Sequence, residues 1–191
     1  MLESLIQIDK NILVYLNNLG SEQWDPLWLG ITKQFYWTPL FVFILYLIFK
    51  TYGWKKGGFL LLSLVVLVAF SDQFVNLIKD SVGRLRPNND LEISHLLRTL
   101  INPQSKSFIS GHATTSTFFA VYISLIFKSR YKKIFLIVLF PLLFGYSRIY
   151  LGVHFPLDIL CGYIVGSILA YLYFKLIQFM ETKWFTTIEF R

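Results

Sequence analysis

The feature that most restricts this chain is a succession of apolar runs separated by clusters of basic residues. Residues 35–49, 57–78, 112–127, 134–146 and 156–177 are nearly unbroken hydrophobic sequence. Crossing the hydrocarbon core of a bilayer takes roughly 20 apolar residues in a helix, and several of these runs approach that length. Composition agrees, with 55% hydrophobic residues, 15% charged residues and a mean hydropathy of +0.56. A soluble domain of 191 residues needs more charge on its surface than that. The expected fold is an all-α, polytopic transmembrane helix bundle of about five spans, one membrane-embedded unit over residues 1–191, with no soluble domain, linker or tandem repeat.

The N-terminal stretch reads differently. In residues 2–19, Leu2, Leu5, Ile6, Ile12, Leu13, Leu16 and Leu19 recur at helical spacing, with Asp9, Lys10 and Asn17 among them. This predicts an amphipathic helix lying in the membrane interface. Gly20 and Ser21 end it, and Asp25 is placed to cap the next segment. Residues 26–31 are apolar, but Lys33 and Gln34 interrupt before the first span, so that span should be kinked or preceded by a short separate helix. Glu3 and Asp9, with no basic region ahead of an apolar core, argue against a cleavable signal peptide. Cys161 is the sole cysteine, so no internal disulfide is possible. Ser71, Asp72, Gln73 and Asn76, late in the second span, should face protein or water rather than lipid. Ile93, Leu96, Leu97, Leu100 and Ile101 predict a short interfacial helix within the polar stretch 79–111, and Gly162 and Gly166 stand at the spacing that permits close helix packing.

The net charge of +7 points to anionic lipid surfaces rather than to nucleic acid. The boundaries after spans one, three and five hold Lys50, Lys55, Lys56, Lys128, Arg130, Lys132, Lys133, Lys175, Lys183 and Arg191, against Lys10, Lys33, Lys79, Arg84, Arg86, Arg98, Lys106 and Arg148 on the other side. The first group clusters tightly at span ends, which places it in the cytoplasm and the 79–111 loop outside.

Three segments then share the outer side. In Ser147–Asp158, SRIYLGVHFPLD, His154 and Asp158 are four apart and share a helix face. Asp158 can take the proton of one ring nitrogen and leave the other free to attack. Arg148 supplies a planar donor fork suited to phosphate, as does Arg86, while Lys79 supplies a point charge. Ser110 resembles an N-cap, Gly111 lets an anion approach the backbone, and the free N–H groups of the following helix point at it. His112, beside this anion site, is placed to donate a proton. A metal site built from His95, His112, His154 and Asp158 is the competing reading. It lacks an HExxH motif or a cysteine cluster, and the basic residues would repel a cation.

Singly, each segment reads as ordinary structure. Together they form a pattern: lysine, six residues, Arg-Pro; then Ser-Gly-His; then Ser-Arg, five residues, His, three residues, Asp. It resembles the type 2 phosphatidic acid phosphatase superfamily. The resemblance implies that His154 forms a phosphohistidine, oriented by Asp158, that His112 protonates the leaving oxygen, and that Lys79, Arg86, Ser110, Gly111 and Arg148 bind the phosphoryl oxygens. The family usually has proline before Ser-Gly-His, where Ile109 stands here. The expectation is a lipid phosphatase needing no metal and no cofactor, in a bacterial inner membrane with its site on the periplasmic face. Its partners are a lipid phosphate and the surrounding lipids. Undecaprenyl diphosphate is the first choice of substrate, phosphatidate or phosphatidylglycerol phosphate the second, and lipid A the third because the outer loop is small. A lipid phosphotransferase, or a binding protein that kept the fold, are the rivals.

Overall fold

The computed structural model describes residues 2–184; Arg191, counted above among the cytoplasmic basic residues, lies outside them. The helices are α1 (Leu2–Asn18), α2 (Asp25–Ile31), α3 (Thr38–Val82), α4 (Gly111–Phe127), α5 (Leu139–Tyr150) and α6 (Pro156–Trp184), joined in places by short 3-10 turns, and no strand occurs among the described residues. The all-α expectation holds. Two helical stretches, Gln34–Asn89 and Pro156–Lys183, are long and apolar enough to cross a membrane, and Gly111–Phe127 and Ile134–Tyr150 are shorter apolar helices.

The 45 residues of α3 are not one rod. Gly53 has φ 69° and ψ −178°, a left-handed φ that glycine adopts without the penalty a Cβ brings. Contacts with α4 give the direction of each arm. Phe41 meets Phe119 and Tyr52 meets Phe127, so the first arm runs parallel to α4. Ser63 bonds the Tyr122 hydroxyl and Ser71 bonds Thr115, so the second arm runs antiparallel. The chain therefore reverses at Gly53, and the two arms match the first two predicted spans. Ile44, Ile48, Leu60 and Leu67 from both arms share one core with Phe118, Tyr122 and Ile126 of α4.

Helix α4 is the centre of the bundle. Helix α6 runs parallel to it at short range: a Cβ on Gly162 would lie 2.9 Å from the Ala113 Cβ, and one on Gly166 3.1 Å from the Phe118 nitrogen. The glycine spacing read from the sequence thus marks the tightest seam. Helix α5 runs antiparallel, with Phe140 against Phe119 and Phe144 against His112. In consequence the end of the second α3 arm, the starts of α4 and α6 and the end of α5 all meet at one end of the bundle. The opposite end carries the basic clusters, with Lys56 buried there in an ion pair with Glu181.

Two local expectations are corrected, and a third concerns residues the structure places on both the inside and the surface. Residues 93–101 form only a 3-10 turn, Ser94–Leu96. Their apolar side chains are instead claimed one by one: Ile93 packs with Leu13, Ile149 and Phe155, and Leu100 and Ile101 against Tyr150, Leu151 and Val153. Asp25 makes no cap hydrogen bond to α2; it accepts from Arg98 and from the Tyr150 hydroxyl. Ser71 is buried, but Asp72, Gln73 and Asn76 are exposed on the bundle surface, where Asn76 donates to Asp72.

Helix α1 is amphipathic as expected, and the structure shows which face meets the protein. Its polar stripe faces the protein, with Asp9 2% and Asn17 0% exposed, while Leu5, Ile8, Ile12, Tyr15 and Leu19 face outward. Asn17 holds that stripe inward, because its amide nitrogen donates to the carbonyls of Ile149, Tyr150 and Arg98 and its oxygen accepts from the Arg98 nitrogen. The Ile149 and Tyr150 carbonyls lie in the last turn of α5, where intrahelical donors run out.

Candidate active site

The segment that ends α5 and starts α6 is shaped by two residues. Gly152 has φ 70°, and a Cβ there would lie 3.1 Å from the Arg98 carbonyl oxygen, so the turn demands glycine on both counts. Pro156 then opens α6, a position where its missing N–H costs nothing. Between them His154 is held with 1% exposure.

The Asp158 carboxylate sits in the first turn of α6. One oxygen, Oδ2, accepts from the Phe155 nitrogen at 3.0 Å and from the Ser107 hydroxyl, and lies 3.3 Å from Nδ1 of His154. The other, Oδ1, accepts from Nη1 of Arg84 at 2.7 Å. On the far side of the imidazole, Nη1 of Arg86 lies 3.0 Å from Nε2 and also donates to the Val153 carbonyl at 2.9 Å. A guanidinium has only donors. Nε2 must therefore accept, and the ring proton resides on Nδ1, facing Asp158. Burial, opposed by the Asp158 hydrogen bond, pushes the His154 pKa down to about 3, so the ring is neutral near pH 7. Burial also lowers Arg86 to about 10, which leaves it charged.

The remaining candidates converge on this pair. Ser110 takes the N-cap of α4, its hydroxyl accepting from the Ala113 nitrogen at 3.4 Å, and its own nitrogen donates to the Asp158 carbonyl at 3.1 Å. That last bond ties the start of α4 to the start of α6. Gly111 follows, where an added Cβ would meet only Val75 within 4 Å, at 3.4 Å. The His112 ring stands 4.7 Å from the Phe144 ring and feels the charges of Arg148, Lys79 and Arg86 as well as His154. Lys79, buried in the last turn of α3, feels Arg86, Arg148 and Asp158. Arg148 donates to the Thr32 hydroxyl at 2.7 Å, and its Nε is buried with no hydrogen-bond partner among the described residues. All eight residues singled out in the sequence thus stand at one end of the bundle. His95 does not join them; it is exposed on its 3-10 turn, and among the described residues no three of His, Cys, Asp and Glu are grouped to hold a metal ion.

Three residues were missed. Arg84 reads in the sequence as one more loop cation, Ser107 as an ordinary loop serine, and Thr32 as part of an interrupted helix. Only Arg84 carried a signal, since it stands two residues before Arg86 and an alternating pair of arginines can address two sites. The arrangement offers a neutral imidazole with its proton fixed on one side and Arg86 on its other nitrogen, the charge of Arg148 acting on it, and a second imidazole that feels Lys79, Arg86 and Arg148. It is suited to transferring a phosphoryl group to His154.

A protein-family model, the PAP2 superfamily, matches residues 59–181. A lipid A 4'-phosphatase of Bacteroides thetaiotaomicron is 32% identical over 178 residues, spanning 91% of this chain and 79% of that protein. An undecaprenyl-diphosphatase of Sulfolobus acidocaldarius is 33% identical over 140 residues, spanning 73% of this chain and 63% of that protein. Among solved structures, the transmembrane PAP2-type phosphatidylglycerolphosphate phosphatase of Bacillus subtilis has the same fold, with a TM-score of 0.72 at 23% identity over 98% of this chain and 90% of that one.

Proposed function

The chain belongs to the PAP2 superfamily as a membrane lipid phosphatase, and from that premise we propose which residues carry the reaction and on which lipid. Nε2 of His154 attacks phosphorus in line with the leaving oxygen. Nδ1 keeps its proton on Asp158, which stabilises the imidazolium formed. Lys79, Arg86 and Arg148, with the N–H groups behind Ser110 and Gly111, hold the equatorial oxygens. Stabilisation of that charge is the main work in phosphoryl transfer. His112 takes up a solvent proton when the phosphate dianion binds beside it and offsets the surrounding cations, and gives that proton to the departing oxygen. Water then attacks the phosphohistidine, His112 takes the water's proton, and inorganic phosphate leaves with His154 neutral again. The observation that carries this reading is the line from Arg86 through His154 to Asp158, because it fixes the tautomer a nucleophilic histidine needs. Three cations already face the phosphate, so the reaction proceeds without a metal ion.

The lead substrate is a lipid A 4'-phosphate. Support comes from the Bacteroides relative, whose alignment takes in 91% of the chain, more than the 73% aligned with the undecaprenyl-diphosphatase. Undecaprenyl diphosphate, favoured by the small outer loop, is the second reading. The five helical stretches, counting both arms of α3, cross a bacterial inner membrane with the site on the periplasmic face. Charge supports that orientation: Lys50, Lys55, Lys128, Arg130, Lys132, Lys133, Lys175 and Lys183 are exposed at the far end, where anionic lipid attracts them. At the site end Lys10, Arg84 and Arg98 are taken up in ion pairs.

The test is phosphate release by purified protein in detergent from lipid A, undecaprenyl diphosphate, phosphatidylglycerol phosphate and phosphatidate, with and without excess chelator. Release that survives chelation, is greatest on lipid A and is abolished in His154→Ala is the expected result. Turnover by His154→Ala above a vector control removes His154 as nucleophile, loss with chelator restored by a divalent ion removes the metal-free mechanism, and a higher kcat/KM on another lipid replaces the lead substrate.

A further inference from the structure

Helix α1 buries a carboxylate against the first turn of α6, although nothing in the reaction proposed above needs that helix. Asp9, 2% exposed, accepts from Nη2 of Arg84 at 2.7 Å and from the Leu157 nitrogen at 2.9 Å. The same guanidinium donates through Nη1 to Oδ1 of Asp158 at 2.7 Å and lies 3.8 Å from the centre of the Phe155 ring. One cation is thus clamped between two carboxylates and stacked on the residue next to His154. Leu157, the other donor to Asp9, precedes Asp158 directly.

We propose that Asp9 is a positioning residue for the phosphatase reaction: through Arg84 and the Leu157 N–H it holds the Asp158 carboxylate at the angle that keeps the proton on Nδ1 of His154. The inference rests on the assignment of His154 as nucleophile. Its physical basis is the geometry of the fork. Arg84 paired with Asp158 alone could rotate about that one bond, because the 83–110 loop leaves its side chain 22% exposed. A second carboxylate on the other nitrogen removes that freedom. Asp9 itself is fixed by a backbone donor of α6, so the clamp moves with the helix that carries Asp158. The outward apolar stripe of Leu5, Ile8, Ile12, Tyr15 and Leu19 then gives α1 a seat in lipid, and the active site includes a helix the motifs do not touch.

The test compares Asp9→Asn, Asp9→Glu, Asp158→Asn and the double variant Asp9→Asn/Asp158→Asn. An asparagine presents its NH2 group to one of two donors, so it keeps at most one of the two bonds; glutamate keeps two acceptors. Phosphoenzyme formation in a single turnover, orthovanadate affinity and thermal midpoint are measured on each. Asp9→Asn should slow phosphoenzyme formation roughly 10–100-fold, the range found when a ligand's supporting partner is removed, with orthovanadate affinity changed less than about threefold. Asp9→Glu should recover most of the rate. On the Asp158→Asn background Asp9→Asn should add less than about twofold, because residues acting as a unit are not additive. A wild-type rate in folded Asp9→Asn, or a loss that multiplies with Asp158→Asn, overturns the proposal and leaves Asp9 as an anchor of α1 only. Should Asp9→Asn not fold, Arg84→Gln breaks the same clamp at its centre, with the same two outcomes. His154→Ala is the control: turnover there sinks the underlying assignment, whereas an inactive His154→Ala beside an unaffected Asp9→Asn sinks the clamp alone.

Discussion

Arg86 donates to the nitrogen proposed to attack: its Nη1 lies 3.0 Å from Nε2 of His154. The rest of that guanidinium is committed to the protein, with Nε on the Ser105 carbonyl and Nη2 on the Ser105 hydroxyl. A phosphoryl oxygen entering the site can take over Nη1, which releases the lone pair of Nε2 as substrate binds. Without substrate, the proposed nucleophile is capped.

A lysine at position 86 keeps the charge and loses the fork, so it cannot hold both Ser105 contacts and the phosphate. Arg86→Lys should reduce kcat/KM by roughly 10²–10³-fold, the usual cost of one donor to a transition-state oxyanion, and Arg86→Ala should cost more. Steady-state kinetics on the best lipid decide it, and near-wild-type activity in Arg86→Lys would show that charge alone suffices there.

Acid should destabilise this fold through His154. Burial holds its folded pKa at about 3, against 6.5 for a free imidazole. Between those values the unfolded chain binds the extra proton, so stability rises with pH across that window. The contribution is complete above the unfolded pKa and is lost as pH falls towards 3. Asp9, pushed up by burial, acts in the opposite sense over the carboxylate range, so the informative quantity is a difference. The thermal midpoint in detergent should fall more steeply from pH 7 to pH 4 in the wild type than in His154→Gln, and parallel curves would refute it.

Two glycines test the frame in different ways. Gly162→Ala would force a Cβ to 2.9 Å from the Ala113 Cβ, prising α4 from α6 and stretching the Ser110–Asp158 link. Gly53→Ala meets nothing within 4 Å and costs only the strain of its φ 69°, ψ −178° backbone, roughly 1–3 kcal/mol in that essentially glycine-only region. Gly162→Ala should therefore lower both midpoint and kcat, and Gly53→Ala the midpoint alone. Equal loss of kcat in both would show that the bundle, not its α4–α6 seam, sets the site.

The site was more legible in the sequence than the frame around it. The proposed phosphoryl transfer restricts residue type, so the residues assigned to it, Lys79, Arg86, His112, Arg148, His154 and Asp158, leave a spacing that can be read in the chain. Arg84 and Ser107 serve Asp158 through hydrogen bonds, which many residue types can make from many positions, and so they leave little pattern. Helix α1 was legible as amphipathic but not in its mounting, for a related reason. Periodicity finds two faces but not which one the protein takes, and here Asn17 and Asp9 had partners waiting inside. The apolar run at 93–101 failed as a helix because separate cores claimed its side chains.

The proposed sidedness rests on the charge argument and can be measured with thiols. Asn89 and Ser129 are both exposed and belong to opposite ends of the bundle. In a Cys161→Ser background, Asn89→Cys should react with an impermeant reagent in intact spheroplasts, and Ser129→Cys only after lysis. The reverse pattern would put the site in the cytoplasm.

The leaving group separates the roles of the two histidines. Expelling an alkoxide from a monoester such as a lipid A 4'-phosphate requires a proton from His112, and such general-acid help is worth roughly 10²–10⁴-fold. Expelling a phosphate monoester from undecaprenyl diphosphate needs far less help, because that group already carries its charge well. His112→Ala should therefore cripple the first step on the monoester and spare it comparatively on the diphosphate. Breakdown of the phosphohistidine is common to both substrates, so steady-state rates would hide the contrast. Phosphoenzyme formation in a single turnover reveals it. An equal loss on both lipids would mean that His112, set among the charges of Arg148, Lys79 and Arg86, holds the phosphate rather than protonating what leaves.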